Sequence, residues 1–260
     1  MLKKVDFANR IHELDLLKGI AVILMIINHV LFHFGNSFAS EFNGTALEGF
    51  CTFARDAHSS NLLNALNVIF CSGVFMTVSG ITASFSKKPL KEGLMLTVIA
   101  AGITLLSYIV GLILNERLII WFGIIHLMAV CKLLTPLLKK IPKYLLPVAA
   151  LAAFGLGIYF RTITITEPSL RFLAIFHFRC IGFTSSDYYP ILPYIAFYIA
   201  GLFIGKCFYA ENRKSYLPFT GKKAFMPLRF LGAYTFEVYV AHQILIFAII
   251  PLIALIVKSF

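Results

Sequence analysis

The sequence predicts an all-α fold: a polytopic membrane helix bundle of about seven transmembrane helices, with the amino terminus cytoplasmic and the carboxyl terminus outside. Three observations predict it, namely a lipid-compatible composition, apolar runs of spanning length, and a one-sided distribution of basic residues. Of 260 residues, 59% are hydrophobic and only 13% charged, with a mean hydropathy of +0.86. A soluble domain carries about 25% charged residues, so this composition excludes one. Where lipid is the solvent, each backbone donor and acceptor must be satisfied within its own segment, which favours spanning helices over open sheet.

The predicted spans run from Leu16 to Phe34, Leu62 to Phe85, Gly93 to Leu114, Leu118 to Leu138, Tyr144 to Phe160, Ile191 to Phe208 and Leu231 to Val257. Each is close to the ~20 residues that a bilayer core requires. The first lacks a small-residue cleavage site and is followed by further spans, so it reads as a retained anchor. Residues 1–260 then form a single transmembrane domain with no soluble part left over. With seven spans, seventeen of the 23 basic residues fall on the amino-terminal side and six on the other, while the acidic residues divide evenly. Cytoplasmic loops retain Lys and Arg, which sets the orientation. The formal charge of +11 therefore lies on the cytoplasmic face, where it suits anionic lipid and also a polyanionic cytosolic ligand.

The apolar stretch from Ser169 to Phe183 would place the basic loop after Phe208 outside if it were an eighth span, so it reads as interfacial or re-entrant. The five cysteines show no paired spacing, and neither a metal site nor a redox pair is indicated. Cys51 and Cys180 fall in outer loops, where they either form one disulfide or remain two free thiols.

Ionisable residues inside spans are costly and are candidates for function, the ordinary alternative being a neutral packed histidine. His29 lies eleven residues beyond Lys18, and His242 eleven residues beyond Leu231, so each sits roughly 16 Å from the cytoplasmic side. His126, eight residues into an inward-running span, is about 12 Å below the outer surface. All three occupy one layer. Asp15, Lys18, Val22, Met25, His29 and Phe32 share a helix face, with His33 one turn beyond His29. Asp187 directly precedes Tyr188, Tyr189 and Tyr194, aromatics that suit a sugar face or an interfacial belt equally well.

The segments RIHELDLLKGIAVILMIINHVLFHFG, FCSGVFMTVSGITASFSKK, WFGIIHLMAV, DYYPILPYIAFYIAGLFIGK and LGAYTFEVYVAHQIL occur in this order between Arg10 and about Ile250. They resemble the blocks of a bacterial membrane family similar to the catalytic domain of heparan-alpha-glucosaminide N-acetyltransferase. The first also resembles the wider membrane acyltransferase superfamily, which pairs a basic residue with a histidine eleven positions later, here Lys18 and His29. The usual basic residue is Arg; Lys keeps the charge but loses the bidentate fork for phosphate.

The resemblance implies an acyltransferase of a cell membrane, in a bacterial inner or plasma membrane, that draws acetyl-CoA as co-substrate from the cytosol and acylates an extracytoplasmic carbohydrate amine or hydroxyl. His29 is then the candidate general base or acyl carrier. His242 and His126 orient it or stabilise the oxyanion, and Asp15, at the foot of the same stripe, completes the candidate catalytic set. Lys18, Lys87, Lys88, Arg213 and Lys214 are candidate contacts for coenzyme A. Asp187, Tyr188, His33 and Tyr239 are candidates for the acceptor. The expected partners are acyl-CoA, a glycan or sugar acceptor, the bilayer and a second copy of the chain as a homodimer, with no nucleic acid and no metal. The main alternative is a proton-coupled transporter or channel using the buried histidines, although no matched pair of broken helices marks an inverted repeat.

Overall fold

The computed structural model describes Phe7 and residues 10–114, 118–209 and 214–259. Among these residues ten α-helices carry the fold: α1 His12–Phe32, α2 Glu48–Ser59, α3 Asn61–Asn67, α4 Phe75–Ser84, α5 Pro89–Leu114, α6 Ile124–Lys140, α7 Leu146–Thr162, α8 Ile191–Ile204, α9 Met226–Ala233 and α10 Thr235–Lys258. Among the described residues, six helical segments are long and apolar enough to cross a membrane: His12–Ser37, Asn61–Ser84, Pro89–Ile113, Lys143–Thr162, Ile191–Tyr209 and Thr235–Lys258. The remaining predicted run becomes α6, whose 17 residues rise roughly 26 Å, at the short end of the spanning range. Leu94, Val98, Leu105 and Leu112 on α5, and Leu151 and Ile158 on α7, are more than half exposed. Apolar surface of that extent is stable only in contact with lipid.

The chain forms two compact units, Met1–Phe75 with Arg213–Phe260, and Met76–Asn212. The first is organised by a crossing of α1 with α9. A Cβ added to Gly19 would overlap the Leu228 carbonyl, and one added to Gly232 would overlap the Asp15 carbonyl. The two backbones therefore touch directly, as small residues allow between membrane helices. Below the crossing, the backbone N–H of His12 donates to Ser215 Oγ (2.8 Å) and that of Tyr216 donates to Glu13 Oε1 (2.7 Å). At the far end of α1, a π-helical turn over His33–Ser37 leads through Ala39–Phe42 into α2. Arg55 Nε donates to the Gly35 carbonyl at 2.8 Å, and Phe34, Phe42, Cys51 and Ala54 pack on Ile246 and Ile250 of α10.

In the second unit α5 packs with α6, and α7 with α8. Gly80 of α4 meets the Tyr198 carbonyl of α8, while Gly201 meets the Thr77 carbonyl, another close crossing. The buried Tyr198 hydroxyl lies 2.6 Å from Thr135 Oγ1. Residues 118–123 are extended rather than helical. They accept hydrogen bonds from the segment before α8, Ser186 N–H to the Ile119 carbonyl (3.1 Å) and Tyr189 N–H to the Phe122 carbonyl (2.9 Å). Helix α6 thus begins six residues later than the apolar run suggests. The stretch from 169 to 183 is not a spanning helix. A 3-10 segment over Pro168–Phe176 leads into β2 (Arg179–Cys180), which pairs in parallel with β1 (Thr164–Ile165). Cys51 and Cys180 both carry free thiols.

Replacing Gly232 with Ala is expected to destabilise the protein by about 1–3 kcal/mol through overpacking. Replacing Gly102, where an added Cβ meets nothing within 4 Å, is expected to be neutral or to stabilise by about 0.5–1 kcal/mol. Thermal unfolding in detergent compares them; equal midpoints would remove the crossing from its structural role.

Candidate active site

Gly19 and Gly232 adjoin each other, since a Cβ on the latter would also press on the Gly19 nitrogen. From each glycine, ten residues of nearly continuous helix, a rise of about 15 Å, lead to His29 on α1 and His242 on α10. Equal steps from one crossing point bring the rings together: their centroids are 5.0 Å apart at 75°, edge to face. Each ring is held by its own helix. His29 Nδ1 lies 2.8 Å from the Met25 carbonyl and His242 Nδ1 2.5 Å from the Tyr239 carbonyl. A carbonyl oxygen only accepts, so both Nδ1 atoms carry the hydrogen and both Nε2 atoms keep a lone pair. His242 is 6% exposed, and its Nε2 has no hydrogen-bond partner among the described residues.

A further layer surrounds the pair. His33 is 3% exposed. The Gln243 amide donates to its Nε2 (2.8 Å), so its Nδ1–H donates to Ser37 Oγ (3.0 Å). With both nitrogens engaged, His33 does not meet the acceptor as expected; it fixes Gln243, whose Oε1 is itself buried without a partner among the described residues. His58 of α2 donates from Nδ1 to Asn28 Oδ1 (3.1 Å), and its ring lies tilted against Phe32 with centroids 5.2 Å apart. Burial, reinforced by nearby His29, pushes the His58 imidazole below its ordinary range, so it stays neutral where a solvated histidine would begin to charge. Tyr239 lies 5.5 Å from His242, ring to ring.

Asp15 departs from its expected role. It lies fourteen residues, about 21 Å of helix, below His29, and Arg10 grips both its oxygens at 2.5 and 2.6 Å. It fastens the start of α1. Lys18 is half-buried on α1 and is not without a partner. Lys214 is exposed, and Arg213 lies outside the described residues.

The other expected residues belong to the second unit. His126 sits in the first turn of α6 rather than mid-span. The Gly123 N–H donates to its Nδ1 (3.2 Å), and its Nε2–H donates to Thr104 Oγ1 (2.9 Å), which donates to the Ile120 carbonyl. It closes the helix end and has no ring nitrogen to spare. Asp187 Oδ2 accepts the Ile124 N–H (3.2 Å) at the same helix start, a capping role favoured by the helix dipole. Tyr188 donates to the Ala174 carbonyl (2.7 Å), burial pushes its phenol up to about 12, and it lines a cavity described below. Lys87 and Lys88 are exposed in the turn between α4 and α5. The same basic end holds Lys139, bonded to the Ser86 carbonyl, and Lys206, bonded to the Lys139 and Ile141 carbonyls, each at 2.8 Å.

A family model described as the catalytic domain of heparan-alpha-glucosaminide N-acetyltransferase matches residues 10–244. The chain belongs to that family. No curated protein matches it, and no solved structure does. The match makes this heparan-alpha-glucosaminide N-acetyltransferase family member a multi-pass membrane protein of the acetyltransferase type, and it spans both units.

Gln243 and Asn28 carry no motif in the sequence, and His58 reads there as a solvated loop residue. The first two stand beside His242 and His29 inside apolar runs, where a second polar side chain is a signal in its own right. A stronger signal went unused: Gly19 to His29 and Gly232 to His242 share one spacing, a glycine followed ten residues later by histidine.

Asp187→Ala is expected to lower stability by about 1 kcal/mol through loss of the cap, without changing acetyl-CoA consumption in the folded fraction. A loss of turnover with unchanged unfolding would instead assign Asp187 to the acceptor.

Proposed function

We propose that this protein transfers an acetyl group from cytosolic acetyl-CoA to a carbohydrate amine or hydroxyl on the other side of the membrane, with His29 as general base. The observation that carries the proposal is the His29–His242 pair, two imidazoles held in one tautomer with lone pairs at Nε2. Buried polar atoms without partners call for an explanation, and His242 Nε2 and Gln243 Oε1 fit a polar substrate group entering beside the pair.

In this reading His29 Nε2 takes the proton of the acceptor as its nitrogen or oxygen attacks the thioester carbonyl. The carbon–sulfur bond breaks, and the leaving thiolate receives that proton from His29. His242, whose Nδ1–H is donated to the Tyr239 carbonyl, offers its Nε2 lone pair to stabilise the imidazolium formed in between. His33 positions Gln243, and His58 with Asn28 holds the neighbouring wall. Lys18, about 16 Å along α1 from His29, marks the donor's route, and its charge suits the donor's phosphates.

His29→Ala is expected to reduce acetyl transfer by at least about 10²-fold, while thermal protection by coenzyme A is retained. Full turnover in that variant would remove His29 from the chemistry. Lys18→Ala is expected to weaken that protection, and unchanged affinity would reassign Lys18 to headgroup anchoring.

A further inference from the structure

The second unit contains a cavity of about 560 Å³ at the common end of α7 and α8, within the size range of small-molecule sites. Two exposed arginines, Arg161 from the last turn of α7 and Arg179 from β2, line it, with no carboxylate among the lining residues. Neither side chain has a hydrogen-bond or ion-pair partner among the described residues, so both forks are available to a ligand. The walls are built rather than incidental. His177 adopts a left-handed backbone (φ 81°), costly for a residue other than glycine, and its Nδ1 donates to the Gly157 carbonyl at 2.9 Å. Phe178 stacks on Phe160 with centroids 4.4 Å apart. Tyr188 is anchored on Ala174 through its hydroxyl.

The geometry points to a binding site for the phosphate of an anionic lipid headgroup. Paired guanidiniums match the oxyanion fork. The site sits where one membrane-crossing segment ends at Thr162 and the next begins at Ile191, the level at which tyrosines and headgroups meet. Exposed apolar residues along α7, including Leu151 and Ile158, offer the acyl chains a surface on the helix that carries Arg161. This assignment does not depend on the acetyl-transfer reading.

The test uses the full chain in phosphatidylcholine nanodiscs with and without phosphatidylglycerol, reading retained lipid by native mass spectrometry and unfolding temperature. Phosphatidylglycerol should be retained preferentially and should raise the unfolding temperature. Arg161→Ala combined with Arg179→Ala should lower that preference by about tenfold or more. The Lys double variant keeps the charge and remains informative if the Ala variant fails to fold; it should fall between the two. Wild-type preference in either double variant overturns the proposal. So does stabilisation by inorganic phosphate or coenzyme A alone in phosphatidylcholine, abolished by the same substitutions, because that marks a site for soluble anions.

Discussion

The first unit, which holds the candidate site, depends on one contact, the backbone crossing of α1 and α9 at Gly19 and Gly232. Without side chains at those positions the helices approach until carbonyl meets Cα, and the equal ten-residue steps that follow deliver two imidazoles to the same height. Any side chain at the crossing pushes α9 outward, and α10 follows it after one residue. Position of the histidine pair is thus inherited from a packing event about 15 Å away, a common relation in membrane proteins, where close packing rather than water expulsion holds helices together.

Around the pair, each histidine ring is held in one tautomer, while His242 Nε2 and Gln243 Oε1 stay without partners among the described residues. Backbone carbonyls hold His29 and His242, Gln243 and Ser37 hold His33, and Asn28 holds His58. The π-helical turn beginning at His33 adds a residue to the helix just above the site, a distortion often found at functional positions. Rigid tautomers are what a general base in hydrocarbon needs, since an imidazole free to flip would offer a hydrogen where a lone pair is required.

Much of this was legible in the residues. Apolar runs gave the spans because hydrocarbon leaves the backbone few alternatives, and six recur as spanning helices. Placing His29 and His242 in one layer from helical rise agrees with their ring contact. The same arithmetic failed for His126, because the apolar residues 118–123 are extended strand-like chain paired with 186–189, and hydropathy does not distinguish that from a first helical turn. Asp15 shared a helix face with His29 but not its depth, and its partner Arg10 lies outside the helix, where periodicity says nothing. His33 was assigned to the acceptor because its spacing was right; only the position of Gln243 reveals that both its nitrogens are occupied.

The account's central claim is that His29 and His242 act as one unit because the helix crossing places them in contact. A double-mutant cycle on acetyl transfer, with His29→Asn, His242→Asn and the two combined, tests that most directly. The account predicts strong non-additivity, the double variant being no slower than the more damaged single variant. Losses that multiply independently would contradict it, showing that the two rings, though adjacent, do separate work.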